Sequence, residues 1–419
     1  MGSGLKIALI AGEYPPYIIG GGGFTSHLLV RQLRKKGIVV DVYAFTREHK
    51  PLFSKEGITR YYSAPIGNNW PIINIHTIAK LWNKLDKYDL AHVISTQRMA
   101  ALGFLKKISP IIKTVGTLGG IDGACLNYMK WSKRQCSECK SNDLLQCAFE
   151  RKEWIENKLI KNLVPPPILF SYFTTQRSFA QRLDKYFAVS QTMRQIHVAC
   201  GFPESKVEVI AEMIDPQFFE KLQRSYATKR SGNAVILYVG RLSKEKGVAD
   251  LIRAFSLTRK KNAELRIVGK GPERKELEKI VDSTGMQERV RFFGWVDLDT
   301  LLALYKGADI FVHPGIWPEP FGRTILEAML AKLAIIASRS GAPPDTLGDS
   351  GMLYEAGDVT ELAENLEILI DDEELRGRLG AKAYRKAVLD YNSDVITDRI
   401  INEYERLVTP GKTHPEAYD

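Results

Sequence analysis

Apolar residues along this 419-residue chain fall into short runs, separated by stretches in which they recur at helical spacing. Lys6–Ala11 is such a run. It is stopped by a Gly/Pro turn and predicts a buried parallel strand. A loop with Pro15, Pro16 and the glycines Gly20–Gly23 follows. Phe24, Leu28, Leu29 and Leu33 then predict a helix up to Gly37, and Ile38–Phe45 the next strand. A strand, loop, helix and strand in about 40 residues is the unit of a doubly wound sheet. Leu90–Ser95, Ile111–Val115 and Lys185–Val189 predict further strands, the last followed by a helix from Ser190.

The pattern restarts near residue 234. Ala234–Val239, Leu265–Val268, Val290–Phe293, Ile310–His313 and Ala334–Ala337 predict strands. Gly247–Phe255, Glu273–Thr284, Leu298–Lys306 and Gly322–Ala331 predict the helices between them. The fold class is therefore α/β, with two Rossmann-like doubly wound domains. Residues 1–212 form the first and 213–392 the second, with a polar linker expected at about 211–233. Residues 393–408 predict an amphipathic helix packing back toward the first domain, and 409–419 a loose tail. Residues 125–180 break the alternation and are expected to be an insertion in the first domain. Ligands of such sheets bind at the carboxyl ends of the strands, so both domains should point loops into a shared cleft.

The charge is uneven. Residues 1–205 carry 28 Lys and Arg against 14 Asp and Glu, and the remainder 31 against 35, within a net charge of +10. A basic first half attracts phosphorylated ligands or acidic lipid headgroups. No nucleic-acid motif accompanies it, and aromatics do not interleave with the basic residues, so nucleic acid is not an expected partner. The apolar fraction of 44% is that of a folded domain. No apolar run is long enough to span a membrane. Residues 1–6 run straight into a strand without a cleavage-site pattern, and five cysteines suit a reducing compartment, so a cytoplasmic location is expected.

The densest chemistry lies in His313-Pro-Gly-Ile-Trp-Pro-Glu319-Pro-Phe321-Gly322-Arg323-Thr324-Ile-Leu-Glu327. Glu319 stands in the loop after a strand and Glu327 inside the next helix. Gly322, Arg323 and Thr324 place backbone N–H groups at that helix's N-terminus, a setting for phosphate. Glu327, one turn in, is placed to accept hydrogen bonds from ribose hydroxyls. Two isolated carboxylates would ordinarily be solvated; their surroundings argue otherwise.

The segment closely resembles the Glu-x7-Glu signature of retaining glycosyltransferases of the GT-B fold, glycosyltransferase family 4. Tyr238-Val-Gly240-Arg241-Leu-Ser-Lys-Glu-Lys246-Gly247 resembles that family's Val-Gly-Arg-x4-Lys-Gly segment. Leu265-Arg-Ile-Val-Gly269-Lys-Gly271 and Val290-Arg-Phe-Phe-Gly294 resemble its next two strand–turn units. Ala188-Val-Ser190 and the run to Asp215 resemble its interdomain crossing, with Ala211-Glu212-Met213 in place of the usual Pro-Asn-Gly. The resemblance covers nearly the whole chain except 125–180.

It implies a metal-independent, retaining hexosyl transfer from a nucleotide-diphosphate sugar, with no cofactor for catalysis. Arg241 and Lys246 would meet the charge developing on the leaving diphosphate, by a forked contact and a point charge respectively. Glu319 would contact donor-sugar hydroxyls and Glu327 the ribose. Gly21 and Gly22 match the family's Gly-Gly loop toward the donor phosphate, although a flexible loop explains them equally. Gly240, Gly269, Gly294 and Phe321 complete the implied donor set. Retention implies same-face attack, with the leaving phosphate helping to remove the acceptor proton. Asp297-Leu-Asp299 reads as a helix cap rather than a metal site.

The first domain departs from the family. Thr114-Val-Gly116-Thr117-Leu-Gly119-Gly120 lacks the histidine that many members carry there; Asp122 or Thr117 is a candidate substitute. His92 fits a family Asp-x-x-His pattern, and fits a packing histidine at least as well. Cys125, Cys136, Cys139 and Cys147 are spaced so that four thiolates could close a structural zinc site. Free thiols, disulfides and an iron–sulfur cluster are the alternatives. Cys200 reads as packing.

The acceptor implied is a saccharide or a lipid-linked molecule. The basic first domain favours an anionic or membrane-bound one, with the protein peripheral on an anionic cytoplasmic leaflet. Two other functions use the same scaffold. A sugar-nucleotide epimerase should lack the full Glu-x7-Glu segment. A non-catalytic nucleotide-sugar-binding subunit gains support from the missing histidine, but not from Arg241, Lys246, Glu319 and Glu327.

Overall fold

The computed structural model describes residues 4–17, 21–46, 52–54, 57–63, 77–108, 112–121, 147, 166–226, 233–259 and 262–409. The chain divides into two units. Described residues up to Ala211 and from Asp394 onward make the first; Glu212–Ser393 makes the second.

The first unit is built on an eight-stranded sheet of β1 (Lys6–Ala11), β2 (Val39–Thr46), β3 (Leu52–Ser54), β4 (Gly57–Ser63), β5 (Leu90–Val93), β6 (Lys113–Leu118), β7 (Lys185–Ala188) and β8 (Val207–Val209). The order is β3-β4-β2-β1-β5-β6-β7-β8, with every described pair parallel except β3 on β4. The central strands are largely apolar, as strands covered by helices on both faces must be. Ile7, Leu9, Leu90 and Val115 are all sealed from solvent.

The helix Ser393–Val408 turns four charged or polar side chains onto this unit. Asp398 pairs with Lys36 at 2.7 Å, Arg399 with Glu208 at 3.0 Å, and Glu403 with Lys185 at 2.9 Å. The Tyr404 hydroxyl lies 2.5 Å from Nδ1 of His92.

The second unit has six strands: β9 (Ala234–Val239), β10 (Ala263–Val268), β11 (Val290–Gly294), β12 (Ile310–His313), β13 (Ala334–Ser338) and β14 (Met352–Tyr354). Their order is β11-β10-β9-β12-β13-β14, all parallel. Chain order reverses between β9 and β12, the place where such sheets bind ligands. Ile236, Leu251, Phe255, Leu265, Ile310, Ile336 and Leu366 form one core around it.

Two expectations are corrected. The polar stretch after residue 211 is not merely a linker, since it contains the helix Pro216–Arg224. Asp215 caps that helix by accepting from the Gln217 N–H, Pro216 suits its first turn, and Phe218 and Leu222 are buried four residues apart. The stretch 125–180 is not wholly an insertion either. Pro166–Ala180 is a helix packed on the helix Thr96–Ile108. Gly103 makes the close approach possible, since a Cβ there would lie 1.9 Å from the Phe179 carbonyl oxygen. A prolyl start, Pro216 in one and Pro165-Pro166-Pro167 in the other, hides both helices from a periodicity reading.

Candidate functional site

The candidate residues of the second unit collect at the carboxyl ends of β9 and β12. Leaving β9, the chain is zipped to the turn after β10. Gly240 N–H donates to Val268 and Leu242 N–H to Lys270, both at 3.0 Å, while Gly269 N–H donates to Gly294 at 2.7 Å. Gly269 has φ +139°, and a Cβ on it would lie 1.8 Å from the Gly240 carbonyl oxygen. Gly240 and Gly269 therefore let three strand-end loops close on one another. Gly294 has φ +68° with open space beside it.

The next turn, Lys244–Lys246, ends at Gly247 (φ +65°), where a Cβ would lie 1.9 Å from the Pro314 carbonyl oxygen. Ile316 N–H donates to Glu245 at 2.9 Å. The two loops are thus locked together by backbone, and Lys246 is brought to Glu319.

Lys246 Nζ lies 2.6 Å from Glu319 Oε2 and 4.7 Å from the centre of the Trp317 ring. The Trp317 indole N–H donates to the same Oε2 at 2.9 Å, and His313 Nε2 lies 3.5 Å from it. The Glu319 backbone is held as well. Its N–H donates to Ser340 at 3.1 Å, and its carbonyl accepts from Ala342 at 2.8 Å. Burial raises the Glu319 carboxyl, but the charge of Lys246 and the hydrogen bond and charge of His313 more than offset it. They hold it at about 2. Glu319 is therefore a fixed carboxylate at neutral pH.

Gly322 (φ +87°) caps the helix Arg323–Leu330 without a side chain. Nothing from the cap itself covers the positive end of the helix. Glu327 accepts from the Tyr305 hydroxyl at 2.9 Å, and Arg323 Nε lies 3.7 Å from its other oxygen. Arg323 also reaches Glu212 at 3.3 Å. Burial raises the Glu327 carboxyl, Arg323 and Tyr305 pull it down, and Asp215 and Glu212 push it up; the balance is a raised value.

The remaining candidates separate. Arg241 is exposed just past the end of β9, and no described residue pairs with its guanidinium; its carbonyl accepts from the Tyr238 hydroxyl at 2.9 Å. Thr324 is half-buried in the helix's first turn. Phe321 has its ring buried edge-on against Tyr391, centroids 5.4 Å apart, where it packs the core. Asp297 caps Leu298–Lys306 through the Thr300 N–H at 2.8 Å.

In the first unit Gly21 and Gly22 are exposed in the first turn of the helix Gly21–Lys35, with open space where a Cβ would go. His92 is a packing histidine. It is fully buried between Tyr404 and Thr117 Oγ1, 2.7 Å from the latter, and burial pushes it down to about 3. Thr117 is thereby engaged in the core. Asp122, Cys125, Cys136 and Cys139 lie outside the described residues; Cys147 is half-buried.

Four contributors carry no signal in motif spacing. His313 and Trp317 stand just before the Glu-x7-Glu run, where an aromatic flanking a loop carboxylate is the one available hint. Tyr305 comes from the preceding helix. Glu212 occupies the departure from Pro-Asn-Gly, and its partner Arg323 is visible only in three dimensions.

A model of glycosyl transferases group 1 matches residues 220–386, and one of Glycosyltransferase Family 4 matches residues 19–218. An uncharacterised glycosyltransferase of Methanocaldococcus jannaschii is 26% identical over 96% of this chain and 98% of its own. The N-acetyl-alpha-D-glucosaminyl L-malate synthase of Bacillus anthracis is 28% identical over 49% of this chain and 54% of its own. Among solved structures, Anabaena HepE in complex with UDP and glucose superposes with TM-score 0.68 at 18% identity, covering 96% of this chain and all of that one. Sucrose-phosphate synthase from Thermosynechococcus elongatus gives 0.71 at 18% identity, over 96% of this chain and 99% of that one. With two parallel-sheet units, the first half matching the Glycosyltransferase Family 4 model and the second the glycosyl transferases group 1 model, the chain belongs to the glycosyltransferases of the GT-B fold.

Proposed function

We propose that the chain moves a sugar from a nucleoside-diphosphate sugar to a saccharide or lipid-linked acceptor, with retention and without a metal ion in the transfer step. The observation that carries this is Lys246 held 2.6 Å from a buried, ionised Glu319 at the strand ends of the second sheet. Lys246 and Arg241 would take the charge of the departing diphosphate, helped by the positive N-terminal end of Arg323–Leu330. Glu319, being ionised, accepts hydrogen bonds from donor-sugar hydroxyls, and Glu327 from the ribose. The sugar's bond to the phosphate oxygen breaks while the acceptor oxygen bonds the same carbon on the same face. The acceptor proton passes to the leaving phosphate, so no protein base is needed where the family histidine is missing.

The UDP and UDP-glucose bound to HepE make a uridine nucleotide the first donor to test. The basic first half supports an anionic, membrane-associated acceptor on a cytoplasmic face. Among the described residues no helix is long and apolar enough to cross a membrane. Co-sedimentation with vesicles with and without acidic lipid tests the docking; equal binding to both refutes it.

Thermal shift with UDP, GDP, ADP and their sugars tests the donor site. A nucleotide at roughly a hundred times its Kd stabilises by about 2.7 kcal/mol. A shift with one base that is lost in Glu327→Ala supports the reading, and no shift with any refutes it. Transfer that persists in EDTA supports metal independence; its loss there refutes it.

A further inference from the structure

We propose that Trp317 is a positioning residue that keeps Glu319 in place when Lys246 turns to the donor diphosphate. The inference rests on the transfer reaction proposed above. Three donors converge on one oxygen of Glu319: Lys246 Nζ at 2.6 Å, the Trp317 indole N–H at 2.9 Å and His313 Nε2 at 3.5 Å. They are not equivalent. An ammonium on a flexible stem has three N–H donors and follows negative charge. A diphosphate engaging Lys246 would draw it from Glu319. The indole has a single N–H fixed in the ring plane, and His313 is the most distant of the three. Trp317 is therefore the short contact that stays.

The same ring also serves Lys246. The ammonium sits 4.7 Å from the ring centre, within the range of a cation–π contact. One side chain thus holds the carboxylate by its edge and the cation by its face. The two roles can be separated by substitution. Phe keeps an aromatic face and removes the N–H. Leu removes both.

The test uses the full chain and whichever of UDP-glucose, GDP-mannose and ADP-glucose the wild type turns over, by transfer or hydrolysis. Trp317→Phe is expected to lower kcat about tenfold or more, the worth of one hydrogen bond to a charged group, with donor KM within about twofold of wild type. Trp317→Leu is expected to raise donor KM as well, because Lys246 loses its platform. In protein labelled with 15N-tryptophan, the indole N–H signal that Trp317→Phe removes should stay downfield when the matching nucleoside diphosphate is added, marking a bond to Glu319 that persists. A wild type that turns over one of these donors, with kcat unchanged in Trp317→Phe, overturns the proposal while leaving the transferase reading intact. So does a Trp317 signal that moves upfield on adding the nucleotide. A wild type that neither binds nor turns over any nucleotide overturns both.

Discussion

Replacing Lys246 by Met would leave Glu319 almost as buried as before and without its nearest cation. The structure gives a scale for the cost. The Glu319 carboxyl is held at about 2 instead of 4.5. At about 1.36 kcal/mol per unit, that is about 3 kcal/mol favouring the charged form in the folded protein at neutral pH. The two side chains keep 22% and 13% of their exposure, and His313 retains its share. Solvent screening and that share bring the expected loss to about 2 kcal/mol. For a unit of this size it should lower the transition by roughly 4–8 °C. Because the folded value is depressed, the stabilisation is present above about pH 4.5 and is lost as pH falls toward 2. The assay is scanning calorimetry of wild type, Lys246→Met, Glu319→Gln and the double variant at pH 7 and pH 4. The transition followed is the one that Glu319→Gln moves, since two units need not unfold together. The double variant should regain most of the stability lost in Lys246→Met, because a neutral amide needs no cation. The single variant should also differ less from wild type at pH 4 than at pH 7. A double variant no more stable than Lys246→Met, or a Lys246→Met transition within a degree of wild type, would refute the reasoning.

Gly247→Ala should lower the transition of the second unit by several degrees and weaken nucleotide binding, since its Cβ would strike the Pro314 carbonyl oxygen in a left-handed backbone. Calorimetry and thermal shift check both. Tyr305→Phe removes a 2.9 Å hydrogen bond to Glu327, whose carboxyl is already raised. Titration calorimetry with the matching nucleotide should show affinity falling about threefold or more, with the loss growing as pH is lowered, because losing the hydrogen bond raises the carboxyl further. His92, pushed down to about 3 by burial, binds a proton more readily in the unfolded chain. Wild-type stability should therefore fall as pH drops from about 6.5 toward 3, and His92→Gln should flatten denaturant midpoints across that window.

The central sheet strands were legible in the sequence because parallel strands buried on both faces are short, largely apolar runs, whereas the outer strands β3, β4, β8 and β14 were not. Lys6–Ala11, Ala234–Val239 and Ile310–His313 have the predicted bounds for that reason. Glu319 and Glu327 were legible from a motif whose chemistry needs carboxylates beside a helix N-terminus. The sequence could not show what those carboxylates touch. Lys246 and Glu319 are 73 positions apart, and Tyr305 and Glu327 22. The first pair meets because adjacent strands deliver their loops to one edge and Gly247 lets two backbones approach, the second because the helices before and after β12 lie side by side. Phe321 sits between two site residues in sequence, yet turns its ring into the core. His92 and Tyr404 are 312 positions apart, so a motif histidine became a packing residue only when the last helix closed over it. Local pattern determined the central strands, about half of the helices and the candidate residue types, because burial and backbone geometry act over a few residues. Pairing, ionisation and the division between site and core depend on neighbours distant in the chain, and the tertiary structure alone decided them.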